Sequence, residues 1–168
     1  MEMASLLQRI EASWVSLDEL TAELSRPQLT TAGPDGWSVK DHLAHLAAWN
    51  LSLVALLEGR DRDAALGVWE VPAAEVDVVN GLLHRRYLDL VLDEVEALQV
   101  GSRQMVREAL AGLNDQDLAR PYNSFQPDHP LPNGGEPVLG WITGNTVDHV
   151  EEHIGYIREL IGAARGSA

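Results

Sequence analysis

The chain has 168 residues with 12 Lys and Arg against 26 Asp and Glu, which gives a formal net charge of −14 at pH 7. This length fits one domain over residues 1–168 with its own core, and the absence of cysteine excludes disulfides and thiolate ligands. The negative charge repels phosphate backbones and anionic lipid surfaces, so the composition argues against nucleic-acid and membrane partners.

The N-terminal stretch MEMASLLQRIEASWVSLDEL carries acidic residues that interrupt every apolar run, and no export signal is recognisable. No segment approaches the roughly 20 consecutive apolar residues that a membrane-spanning helix needs. The sequence therefore predicts a cytoplasmic protein.

The first predicted element is an amphipathic helix over residues 3–25. Its apolar residues recur at spacings of three and four: Leu6, Leu7, Ile10, Trp14, Leu17, Leu20 and Leu24. Pro27 and the GPDG cluster at 33–36 then predict a loop. A second helix is predicted from Ser38 to Leu57, with Ser38 as the N-cap and Asp41 in an acidic variant of the capping box.

Residues 60–72 are predicted to form a loop that ends near Pro72. Helical spacing resumes at Val76 and continues to Gly112, with a blurred stretch around Asp89, so one kinked helix or two consecutive helices both fit. Asn114 is suited to cap a single turn through Leu118.

The proline-rich stretch 121–137 is predicted to be the longest loop, without regular structure. A last helix is predicted over residues 139–164. Four major amphipathic segments and no persuasive strand predict an all-α four-helix bundle, in which sites are built from side chains on facing helices.

The last helix contains His149 and His153, which share a helix face about 6 Å apart and are close enough to bind one metal ion. Both lie along one flank of the apolar stripe, where water or substrate could reach them. The competing interpretation is a pair of amphipathic histidines that are hydrogen-bonded to neighbouring helices.

The second helix offers two further candidates. His42 lies nearer the centre of its apolar stripe and His45 at the edge, so periodicity does not choose between them. Three neutral imidazoles and a water form an open site of the zinc type, and nickel, iron or manganese could use the same ligands. His84 is predicted to be a surface or groove residue, and His129 to be solvated.

The segment HVEEH also fits the H-x-x-E-H signature of inverted zinc proteases, in which the glutamate is the general base. Residues 154–168 leave little chain for a further acidic ligand and a peptide cleft. The helical wheel also turns Glu152 away from the histidine flank, so we set this reading aside.

Other residues near the predicted site have two possible roles. Trp37, Trp49 and Trp141 could wall a pocket, although packing is the commoner role of large aromatic side chains. Asn145, one turn before His149, could orient a ligand or substrate, or it could cap a helix start.

Residues 36–49, GWSVKDHLAHLAAW, and residues 144–153, GNTVDHVEEH, resemble the second-helix and last-helix signatures of the DinB/YfiT-like superfamily of metalloenzymes. In that pattern a histidine follows the tryptophan by eight positions. The resemblance therefore implies His45, rather than His42, as the first ligand beside His149 and His153. Residues 76–80 and 92–95 resemble the subgroup of DfsB-type and colibactin self-resistance proteins.

This resemblance implies an up-down-down-up four-helix bundle, often a homodimer, with zinc or nickel held by three histidines. Related proteins include transferases and an isomerase that use low-molecular-weight thiols, and hydrolases of reactive small molecules. We expect a metal-dependent enzyme that activates water or a small thiol cosubstrate for attack on a small electrophile. The alternatives are a metal-free protein that sequesters a reactive metabolite or xenobiotic, and a structural or regulatory homodimer.

Overall fold

The computed structural model describes residues 1–68 and 75–166, with side chains up to residue 163. Eight α-helices are found in this part of the chain: α1 Met3–Ala22, α2 Arg26–Thr30, α3 Val39–Leu57, α4 Arg62–Leu66, α5 Val76–Tyr87, α6 Leu92–Ala111, α7 Val138–Thr143 and α8 His149–Gly166. Short 3₁₀ turns occupy Asp117–Ala119 and Tyr122–Ser124. A π-helical segment, Gly144–Asp148, joins α7 to α8 without a break.

Charged pairs show that α1 and α6 run in opposite directions. Arg103 donates to Asp18 at 2.8 Å, and Arg107 donates to Glu11 at 2.6 Å. The residue number increases along one helix while it decreases along the other, which is the signature of antiparallel neighbours.

The pairs between α3 and α6 have the opposite relation. Gln99 Nε2 contacts the backbone oxygen of Leu43, and Asn50 Nδ2 donates to Ser102 Oγ at 3.2 Å. Both numbers increase together, so these two helices are parallel, whereas histidine pairs described below make α8 antiparallel to α3. The four long helices α1, α3, α6 and α8 therefore form an up-down-down-up bundle, and the predicted all-α fold is confirmed.

Parallel neighbours cannot be joined by a short turn, because the chain must return to the starting end of the bundle. The connection from α3 to α6 contains α4 and α5, and α5 packs on the outside of α3 through Val79 and Leu83. Lys40 Nζ donates to the backbone oxygens of Leu88 at 2.6 Å and Leu90 at 2.9 Å. This anchor holds the turn between α5 and α6, so the blurred pattern near Asp89 marks two consecutive helices.

The start of α3 follows the predicted capping box. Ser38 N–H donates to Asp41 Oδ2 at 2.9 Å, and Asp41 N–H donates to Ser38 Oγ at 3.3 Å. These bonds satisfy backbone donors that have no partner inside the helix. The capped start fixes where the first turn begins, and therefore the direction in which His42 and His45 point.

Short elements depart from the sequence expectations. The first helix ends at Ala22, and Pro27, expected in a loop, lies in the first turn of α2, where its missing N–H leaves no helical bond unmade. The expected loop 60–72 contains α4, capped by Asp61, while Pro72 lies outside the described residues. Helices of five residues are too short to show helical periodicity.

The stretch 121–137 was also wrongly expected to lack regular structure. It contains a 3₁₀ turn, and Tyr122 N–H donates to the backbone oxygen of Glu136 at 3.0 Å. Backbone bonds at its base thus close this segment into a compact loop. None of the helices in the described ranges is long and apolar enough to cross a membrane.

The core predicts a large effect of truncation at its centre. Leu53 on α3 is 0% exposed, whereas Val100 on α6 is 70% exposed. We expect Leu53→Ala to lower the free energy of unfolding by about 2–5 kcal/mol through lost burial and a cavity. Val100→Ala should change it by less than about 0.5 kcal/mol, as measured by urea unfolding. Equal effects of the two substitutions would contradict this assignment of the core.

Candidate metal centre

Both histidines of α3 are buried. His42 is 6% exposed and His45 is 3% exposed, and both rings face α8. They lie one turn apart near the capped start of the helix. α3 therefore presents two imidazoles, rather than one, to the facing helix.

The histidines of α8 follow the π-helical segment directly. A π turn holds one more residue than an α turn, so it shifts the faces of α8 relative to α7, and such turns are frequent at functional sites. Thr146 Oγ1, inside the segment, donates to the backbone oxygen of Ile142 at 2.6 Å. His149 is half-buried and His153 is 6% exposed, so the side of α8 that carries the histidines becomes more buried from His149 to His153.

The structure brings His45, His149 and His153 together. One potential ligand atom from each of these residues lies within 4.8 Å of the others. In the described part of the chain, this is the one cluster of three potential ligands close enough to hold a metal ion. His45 Nε2 lies 3.1 Å from His149 Nε2. Two nitrogens bound to one tetrahedral zinc ion lie about 3.4 Å apart, so the trio fits such an ion with small ring movements.

His42 has a different relation to the trio. Its Nδ1 lies 2.9 Å from His153 Nδ1, so one of these two nitrogens donates to the other. If the proton is on His153, its Nε2 lone pair is free for a metal ion. This is the arrangement in which a neighbouring group orients a metal-binding imidazole.

Burial keeps the four imidazoles neutral at pH 7. Burial lowers the pKa of His45 to about 3 and that of His153 to about 2, with smaller contributions from repulsion by neighbouring histidines. Burial likewise lowers the pKa of His42 and of His149. A neutral imidazole has the lone pair that a metal ion requires, so the donor set fits a divalent cation.

Aromatic rings enclose the cluster. Trp37 stacks on His84 with ring centroids 4.4 Å apart, and its centroid is 5.5 Å from that of His45. Trp49 lies on the other side, with its centroid 6.1 Å from that of His149. Of the three tryptophans named from the sequence, Trp37 and Trp49 therefore lie against the histidine rings, whereas Trp141 packs against Tyr122 with ring centroids 4.6 Å apart.

Asn145 does not cap a helix start, because it lies inside the continuous helix. Its Nδ2 donates to the backbone oxygen of Trp141 at 2.8 Å, and its side chain lines a cavity beside His149. Glu152 is exposed and accepts a hydrogen bond from Tyr156 Oη at 2.6 Å. The glutamate of the H-x-x-E-H segment thus lies at the rim.

Two cavities meet at the histidines. One of about 430 Å³ includes Trp37 and His42 in its lining, and one of about 390 Å³ includes Trp49, Asn145 and His149. Four residues line both cavities: His45, Asn80, His153 and Tyr156. The trio is therefore reachable from two sides by a small molecule.

Sequence reasoning did not identify two of these lining residues. Asn80 comes from α5, and its buried Oδ1 has no hydrogen-bond partner among the described residues. Tyr156 lies three positions after His153, so helical spacing could have placed it on the same side of α8. The place of Asn80 depends on how α5 packs against α3, which no local pattern encodes.

The sequence profile of the DinB superfamily matches residues 9–157, and the chain belongs to this superfamily. Solved structures with the same fold include one described as "Sibling Lethal Factor Precursor - DfsB", with a TM-score of 0.70 and 21% identity over 98% of this chain and 98% of that chain.

A second is the crystal structure of an uncharacterised protein from Escherichia coli UTI89, with a TM-score of 0.70 and 15% identity over 98% of this chain and 95% of that chain. At these identities the likeness establishes the fold. No curated protein matches the sequence.

Proposed function

We propose that the protein is a metal-dependent enzyme in which His45, His149 and His153 hold one divalent ion, zinc or nickel. The reaction is hydrolysis of a small electrophilic molecule, or transfer of a low-molecular-weight thiol to it. The observation that carries the proposal is the approach of three neutral imidazoles, two buried and one half-buried, from two antiparallel helices to within 4.8 Å, where two cavities meet.

When bound, such an ion supplies Lewis acidity, which makes a water or thiol more acidic and a carbonyl more electrophilic. Residues of the chain next to the trio orient its rings and enclose the site. His42 holds the ring of His153 through their Nδ1 contact, and the rings of Trp37 and Trp49 pack against those of His45 and His149. Because the chain has no cysteine, any thiol is a cosubstrate. Cavities of about 430 and 390 Å³ suit small molecules.

The metal assignment is tested by elemental analysis of protein that is purified without a metal-affinity column and supplied with zinc or nickel. We expect one ion per chain in the wild type and nearly none in the His149→Ala/His153→Ala double variant, because only one of the three ligands of the trio remains. His129→Ala is the matched control, since His129 is exposed in the loop before α7. Equal metal contents in the wild type and the double variant would refute the site.

The second candidate is a metal-free protein that sequesters a reactive metabolite or xenobiotic in these cavities. It is favoured by the contacts His45–His149 and His42–His153, in which imidazoles satisfy one another without an ion. This function predicts ligand binding that a chelator leaves unchanged and no turnover. Loss of ligand binding or activity on chelation, with recovery on zinc addition, would favour the enzyme.

A further inference from the structure

We propose that Arg62 binds the carboxylate of a substrate or cosubstrate whose other end reaches the histidine trio. The part that concerns the trio rests on the proposed function, whereas the carboxylate site stands on its own geometry. Arg62 lies in a third cavity, of about 390 Å³, which shares Trp49, Val76 and Asn145 with the cavity beside His149. The two cavities are therefore neighbours, with these three residues between or beside them.

The guanidinium of Arg62 is held in a defined orientation. Its Cζ lies 5.3 Å from the ring centroid of Trp141 and 5.9 Å from that of Tyr122. These two rings contact each other with centroids 4.6 Å apart, and so form a platform for the cation. Arg62 Nε donates to the fully buried Ser52 Oγ at 3.0 Å. One face and one edge of the guanidinium are thereby occupied.

The remaining edge of Arg62 has no partner within the described ranges. None of the ion pairs among the described residues includes Arg62. The two terminal nitrogens of Arg62 donate to no acceptor there, because its one hydrogen bond is made by Nε. An oriented guanidinium with two free parallel N–H groups matches a planar carboxylate. Trp49 Nε1, a second donor in the lining of the same cavity, is buried and also without an acceptor in the part of the chain described.

The surrounding charges favour a carboxylate over a phosphate. Asp61 and Asp63 also line the cavity, and Asp61 Oδ1 accepts from the N–H groups of Asp63 at 2.9 Å and Ala64 at 3.1 Å. Two nearby carboxylates repel a doubly charged phosphate more strongly than a singly charged group.

The last helix of the bundle relates the position of Arg62 to that of the histidine trio. Trp141 and His149 lie on one continuous helix, eight residues apart, and a rise of about 1.5 Å per residue separates them by about 12 Å. Trp141 contacts Arg62, and His149 belongs to the trio. The ligand must therefore be long enough to reach from Arg62, beside Trp141, to the trio at His149, two turns further along the helix.

The experiment uses the full chain after chelator treatment, so that it does not depend on bound metal. Hexanoate and its neutral analogue hexanamide are titrated and followed by NMR of the Arg62 Nε–H and the Trp49 indole N–H. We expect hexanoate to bind about tenfold more tightly than hexanamide, because only hexanoate makes charge-assisted hydrogen bonds. Hexyl phosphate is titrated as the competing anion.

Substitutions assign the effect to Arg62. Arg62→Gln should reduce the affinity for hexanoate to that for hexanamide, and Arg62→Lys should recover only part of it. Arg60→Gln is the matched control, because Arg60 is an exposed neighbour that pairs with Glu58. Unchanged metal content in Arg62→Gln keeps this result separate from the proposed metal site.

The proposal is overturned if hexanoate and hexanamide bind equally, if neither gives saturable shifts, or if Arg62→Gln binds hexanoate like the wild type. Tighter binding of hexyl phosphate than of hexanoate would overturn the assignment to a carboxylate. Selective hexanoate binding in a chain that takes up no metal would support the Arg62 site and refute the metal centre alone.

Discussion

Chelator-treated protein is expected to lose about 4 kcal/mol of unfolding free energy between pH 7 and pH 5 from His45 and His153 alone. Burial lowers the folded-state pKa of these residues to about 3 and about 2, from an ordinary value of 6.5. Below pH 6.5 the unfolded chain takes up protons at both positions while the folded chain does not. The stability is therefore greatest above pH 6.5 and falls as the pH falls.

Urea unfolding in the presence of EDTA at several pH values measures this slope. The window from pH 7 to pH 5 lies above the range in which the carboxyls of Asp41 and Glu11 titrate, because their folded pKa values are below the ordinary values of 3.8 and 4.5. Burial also lowers the pKa of His42 and that of His149, so these two rings add to the same slope. A His45→Phe/His153→Phe variant should show a much flatter profile, whereas the exposed His129→Asn control should follow the wild type. A wild-type stability that is independent of pH in this window would show that the rings are not buried as described.

The main elements of the bundle could be predicted because their signals are local. The Ser38 and Asp41 capping box marked the start of α3 within one residue, and the apolar spacing located the four long helices. The spacing of His149 and His153 placed them on one face, since residues four apart are neighbours on any α-helix. Local geometry of this kind does not depend on how the helices later pack.

The choice between His42 and His45 could not be made from periodicity, and the structure gives the reason. α3 packs against five other helices, α2, α4, α5, α6 and α8. Its residues are therefore buried on nearly every side. A helix that is buried all round has no polar face from which to measure an apolar stripe. The resemblance to the superfamily, rather than the wheel, separated the two histidines.

The parts of the site outside α3 and α8 were also beyond the sequence. Asn80 and Arg62 lie on the connection between parallel helices, and their positions depend on contacts with residues distant in the chain. Arg62, for example, is placed by ring contacts with Tyr122 and Trp141, which lie 60 and 79 residues further along the chain. No spacing rule links such residues, so the structure is needed to bring them together.

His42→Phe is expected to lower the affinity for zinc about 10–100-fold while leaving one site per chain. Phenylalanine fills the place of the imidazole but cannot pair with His153 Nδ1, which His42 Nδ1 approaches at 2.9 Å. Without that contact the ring of His153 is free to rotate and to take its other tautomer, and both changes oppose metal binding. His45→Phe should instead abolish stoichiometric binding, because His45 belongs to the trio.

Competition with a chromophoric chelator at pH 7.5 measures both quantities, the number of sites and the dissociation constant. His84→Phe is the matched control, since His84 contacts Trp37, as His42 does with ring centroids 5.2 Å apart, but is absent from the trio. It should bind zinc like the wild type. If His42→Phe abolished zinc binding and His45→Phe retained it, the ligand from α3 would be His42 instead of His45. The contact between His42 and His153 would then join two metal ligands. If His42→Phe bound zinc with unchanged affinity, His42 would have no part in orienting His153.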